Sequence, residues 1–163
     1  MKAIVSASAI ALSLIASAAS AQAVRTEKNM SLDLANQIAA ATVAACAANN
    51  YNVTAAVVDR AGILRALQRA DNAGPHTVGA AQGKAYTSAS ARNTTAAMLE
   101  NVQKNPGAQT LVDIPGFLVL GGGVPVKAGN EVIGAVGVGG APGGHLDEQC
   151  ANAGIAKVAE LLK

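Results

Sequence analysis

Between Gly121 and Gln149 the chain reads GGGVPVKAGNEVIGAVGVGGAPGGHLDEQ, two short apolar runs around a polar turn, closed by a Gly-Pro-Gly-Gly loop that opens into a helix. The remaining elements are expected to pack around this hairpin. In the second run, Glu131 to Gly139, the β-branched residues Val132, Ile133, Val136 and Val138 alternate with Gly134, Ala135, Gly137 and Gly139, where a second surface can approach closely. That pattern predicts a central strand covered on both faces. The loop Gly139 to Gly144 bares backbone N–H groups ahead of a helix whose positive end attracts anions, so it is the expected seat for a ligand carboxylate. A dinucleotide fold needs glycine at three set spacings, and counted from Gly137 the third falls on Pro142. No P-loop Lys-Ser/Thr pair follows any glycine run either, which sets nucleotide binding aside.

The first 23 residues, MKAIVSASAIALSLIASAASAQA, carry Lys2, an apolar middle and an Ala-x-Ala ending, the pattern of a secretory signal peptide cleaved after Ala23. The expected product is a single domain over 24–163, periplasmic or secreted, with no membrane span after cleavage. Loss of Lys2 from 12 basic against 10 acidic residues leaves about one net positive charge, too little for a nucleic-acid surface. Aromatics are confined to Tyr51, Tyr86 and Phe117. A core of Ala, Gly and Val buries little area per residue, so a homo-oligomer is expected to supply more. Cys46 and Cys150 each lie in a small-residue helical segment, where a buried cysteine acts as a small apolar residue. A bridge between them needs the first and last helices side by side.

Along the chain, Ser31 caps a helix with Leu34, Ile38, Ala41 and Ala45 on one stripe, ending at Asn49-Asn50. Strands over Val53–Val58 and Ile63–Gln68 flank the turn Asp59-Arg60-Ala61-Gly62. Pro75 opens a helix of small residues over Thr77–Ala91, and Thr94 caps a short one over Thr95–Gln103. A loop then leads to a strand at Phe117–Leu120, the hairpin, and a closing helix over Asp147–Leu162. This order predicts an α/β (α+β) domain, a central antiparallel sheet flanked by helices.

The segments GPHTVGAAQGKAYTSAS, IPGFLVLGGGVPV and GNEVIGAVGVGGAPGGHLDEQCANAGI carry A-x-x-K-A-x-T at Ala81–Thr87, G-G-x-P at Gly122–Pro125 and G-A-V-G-V at Gly134–Val138. In these the chain resembles the GlcG/HbpS-like family, which includes haem-binding proteins and the C-terminal domain of PduO-type cobalamin adenosyltransferases. The resemblance runs from about Leu32 to Leu162. It implies a profilin-like fold, assembly into dimers to octamers, and binding of haem or a related tetrapyrrole.

Haem asks for an axial donor, an apolar slot and partners for its propionates. His76 is the first candidate for the iron, sharing an expected helical face with Ala80, Lys84 and Thr87, with Lys84 as propionate partner. Against this stands a plain reading: an exposed helix-start histidine, and a lysine paired with a carbonyl or carboxylate. His145 is the second candidate and Tyr86, as phenolate, the third. The N–H groups of Gly121, Gly122, Gly123, Gly143 and Gly144 are candidates for anionic groups, and Leu118, Leu120, Val124 and Val126 for the slot. For catalysis there is no G-x-S-x-G serine, and neither cysteine has a neighbouring histidine. A metal-dependent enzyme or accessory protein would have to use His145, Asp147 and Glu148. The expected function is therefore exported haem binding for carriage, sequestration or sensing. A small-molecule or metal-dependent enzyme or accessory protein using those three residues is the alternative, and a structural oligomer without a small ligand the second alternative.

Overall fold

The computed structural model describes residues 24–163, so the leader reading lies outside the described residues. Helix α1 (Leu32–Ala47) starts where the Ser31 hydroxyl accepts from the Leu34 N–H. Strands β1 (Thr54–Asp59) and β2 (Leu64–Arg69) form a hairpin, followed by α2 (His76–Ala91) and α3 (Thr95–Lys104). The hairpin β3 (Gly123–Ala128) and β4 (Glu131–Gly139) comes next, then α4 (Gly144–Lys157). All strand pairs are antiparallel in the order β2-β1-β4-β3, so β4 is central. Among the described residues no helix is long and apolar enough to cross a membrane.

Two layers of helix cover the sheet, α2 on one face and α1 with α4 on the other. The strand period of two sends Val136 and Val138 of β4 toward α1 and α4, where they join Leu34, Ile38, Val53 and Val57. Its small residues turn the other way, and Ala135 packs with Val58, Ala85 and Ala89. Gly137 explains how α2 comes so close. A Cβ there would sit 2.1 Å from the Ala81 carbonyl oxygen and 2.4 Å from the Ala85 nitrogen, so the backbones themselves are in contact.

Four expectations are corrected. Phe117–Leu120 forms no strand, because side-chain hydroxyls claim its backbone: Thr87 Oγ1 accepts from the Leu118 N–H and Thr95 Oγ1 donates to the Leu120 carbonyl. The preceding loop contains a 3-10 helix, Pro106–Asp113. The last helix begins at Gly144 instead of Asp147, with the Gly143 carbonyl accepting from the Leu146 and Asp147 N–H groups. Finally, α1 and α4 do lie side by side, and Cys46 and Cys150 form a disulfide with Cα atoms 5.3 Å apart.

Candidate functional site

A groove of about 520 Å³ runs between α3 and the first turns of α4. Leu99 and Ala96 of α3 and Leu120 of the loop before β3 give it an apolar wall, while Gly121 and Gly144 meet at its floor. His145 and Glu148, three residues apart on one face of α4, project into it from the other side. The His145 side chain is exposed, its ring folded against Gly143. Glu148 Oε2 is buried without a hydrogen-bond partner, and burial pushes its carboxyl above the usual range. Across the groove Glu100 bonds Lys104 one turn on, which holds the Glu100 carboxyl below its usual value.

The other candidates lie elsewhere. His76 is exposed at the start of α2 beside a smaller groove, about 310 Å³, shared with Asn50, Tyr51, Asn52, Asn72 and Pro142. Tyr86 flanks a third groove of about 540 Å³, edge-on to Phe117 with ring centroids 6.1 Å apart and with Leu64 and Leu118 nearby. Thus Leu118 and Leu120 line different grooves, and Val124 and Val126 are in the core, so those four do not form one slot.

Lys84 does not share the exposure of His76. Eight residues at 3.6 per turn leave the two about 80° apart around the helix, and the Lys84 side chain is only 2% exposed. Its ammonium donates to Asp147 Oδ2 and to the Val138 carbonyl, both at 2.8 Å. Asp147 Oδ1 accepts from the Ala141 N–H at 3.0 Å. The anion expected in the glycine loop is therefore this chain's own carboxylate. Burial raises the Asp147 carboxyl above its usual range, with Lys84 and the Ala141 N–H opposing.

Thr87 is fully buried, donating to the Gly83 carbonyl while it holds Leu118. The Gly123 N–H is bonded to Thr95 Oγ1. Gly122, at φ +118°, lies so close to the buried pair that a Cβ would meet Asp147 Cβ at 2.7 Å and Lys84 Nζ at 3.1 Å. So Gly121, Gly144 and His145 come together in the groove, Gly143 caps its helix, and Lys84, Thr87, Gly122 and Gly123 form the structure behind it.

The metal triad of His145, Asp147 and Glu148 is not assembled. Residues two apart on a helix face apart, so Asp147 points inward while its neighbours line the groove. Among the described residues no three His, Cys, Asp or Glu side chains are grouped to hold a metal ion. Leu99, Glu100 and Gln103 went unnoticed in the sequence. Their spacing with Ala96 at three, four and seven marks one face of α3.

The chain matches GlcG of Escherichia coli K12 at 39% identity over 114 residues, 70% of this chain and 84% of that one. A crystallised double mutant of Streptomyces reticuli HbpS superposes with a TM-score of 0.79 at 35% identity, covering 94% of this chain and 98% of that one. PduOC, solved as a complex with haem, superposes with a TM-score of 0.70 over 78% of this chain and 94% of its own; at 23% identity that likeness speaks for the fold. The family pattern described as haem degrading protein HbpS-like spans residues 30–156, and this chain belongs to that family.

Proposed function

We propose that this protein binds haem, or a related tetrapyrrole, in the groove between α3 and α4, with His145 as the iron ligand. The observation that carries the reading is the convergence of an exposed imidazole, a wall of Leu99, Leu120 and Ala96, and a floor where glycine backbones meet. The donor set fits the group: nitrogen for the iron, apolar carbon for one face of the ring, and no bulky side chain at the floor. The two carboxylates of the groove, Glu100 and Glu148, would repel propionates, which are better left in solvent than held there. Haem, when bound, supplies Lewis acidity and redox chemistry at iron. His145 would hold it, and Leu99 and Leu120 would cover it with apolar carbon. The family's description as haem degrading supports a haem-related role, and an open groove suits reversible binding for carriage, sequestration or sensing.

Export is part of the proposal, supported by the leader-like residues 1–23 and by a disulfide suited to an oxidising compartment. Self-association is too, supported by a core rich in Ala and Val and by exposed Ile63, Leu64 and Val112. The metal-enzyme alternative has no geometric support, since Asp147 faces away. Titrating the purified protein with haemin and following the Soret band tests the reading. Saturation near one haem per chain is expected, and a linear rise without saturation contradicts it, leaving the structural-oligomer alternative.

A further inference from the structure

Beneath the groove lies a buried pair that does not line it. Lys84 and Asp147 join four parts of the chain: the middle of α2, the end of β4 at Val138, the turn at Ala141 and the first turns of α4. Gly143 gives α4 no side-chain cap, and among the described residues the Asp147–Ala141 bond is the one side-chain hydrogen bond made to residues 140–146. Asp147 also sits between the two groove residues. With about 100° of rotation per residue, pinning its side chain inward turns His145 and Glu148 outward toward Leu120.

We infer that Lys84 and Asp147 are positioning residues for the groove: their pair sets the rotation of α4 and the path of the 140–143 turn, and thereby the placement of His145. The inference rests on the haem reading of the groove. Apolar residues of similar volume replace a buried ion pair with little loss of stability, and a purely structural role forecasts that such a replacement also leaves haem affinity and the Soret maximum unchanged.

The test is the double variant Lys84→Met/Asp147→Leu, followed by thermal unfolding, haemin titration and hydrogen exchange at the Ala141 amide. The pair as a positioning device gives a melting temperature within about 5 °C of the parent. It also gives Ala141 exchange faster by about tenfold or more and haem affinity lower by about tenfold, with a shifted Soret maximum. A folded double variant with unchanged exchange, affinity and Soret maximum overturns the inference. Should the double variant not fold, Lys84→Met/Asp147→Asn removes both charges, leaves no unpaired ammonium and keeps an acceptor for the Ala141 N–H, and haem affinity and the Soret maximum then decide. If the parent binds no haem, the haem reading fails by itself, while Ala141 exchange and the NMR shifts of the His145 ring still decide the positioning role.

Discussion

At the start of α2 the His76 ring lies against Gly74, and at the start of α4 the His145 ring lies against Gly143. A Cβ on either glycine would come within 2.8 Å or 2.9 Å of the imidazole. Both histidines are exposed, and both stand at the first turn of a helix. What differs is the surrounding wall. Beside His76 are three asparagines and a tyrosine in a small groove; His145 stands beside Glu148 and opposite Leu99, Leu120 and Glu100 in a larger one. Both grooves carry three side-chain amides, Asn50, Asn52 and Asn72 beside His76 and Gln103, Gln149 and Asn152 around His145, so the difference lies in the leucine wall, which gains by being covered. A donor therefore becomes a site through its neighbours, and here the neighbours come from α3 and the loop after the 3-10 helix.

The difference extends to what anchors each helix. The disulfide ties α4, with His145, to α1 across 104 residues of sequence, while α2 has no covalent tie. Replacing Cys46 and Cys150 by alanine should cost about 4 kcal/mol, from the loop entropy restored to the unfolded chain. Hydrogen exchange should then rise first in α1 and α4; a rise that begins in α2 would break the comparison. At the wall, Leu120→Asp should weaken haem binding about tenfold or more by placing a charge against the ring face, and Tyr51→Ala should change it less than about twofold. At the ring seats, Gly143→Val should displace His145 and lower haem affinity by about fivefold, while Gly74→Val displaces His76 without that loss. Neither glycine has a positive φ, so the added side chain acts through the imidazole and not through backbone strain.

The smallest effect is on pH dependence. Glu148 has its folded value raised above 4.5 by burial. The folded state thus holds its proton more tightly than the unfolded one, so its contribution to stability is present below about pH 4.5 and lost as pH rises through the folded value. Glu148→Gln should then melt slightly above the parent at pH 7, by about 0.5 kcal/mol or less given solvent screening, and show no gain at pH 4. Asn72→Ala, on the His76 side, should leave the pH profile unchanged. Equal profiles in all three proteins would show that Glu148 is fully solvated.

The hairpin and the central strand were legible in the sequence because their information is local. Val136 and Val138 alternate with Ala135, Gly137 and Gly139, and only a strand sandwiched between two helical layers uses that pattern fully. The strand expected at Phe117–Leu120 failed because its hydrogen-bond partners, Thr87 and Thr95, lie 31 and 25 residues away in sequence. The same holds for the two cysteines and for Lys84 with Asp147, 63 residues apart, whose pairing depends on how the helices are brought together. At the candidate site, His145, Gly121 and Gly144 were visible as residue types. Their grouping with Leu99 and Glu100 was not, because it depends on where α3 comes to rest.

The most direct measurement of the account is a haemin titration of the parent, His145→Ala and His76→Ala proteins in parallel, with melting temperatures recorded to establish that each variant is folded. His145→Ala is expected to lose the saturable Soret signal while His76→Ala retains the parent affinity to within about twofold. Retention in His145→Ala with loss in His76→Ala would contradict it and move the iron to the asparagine-lined groove.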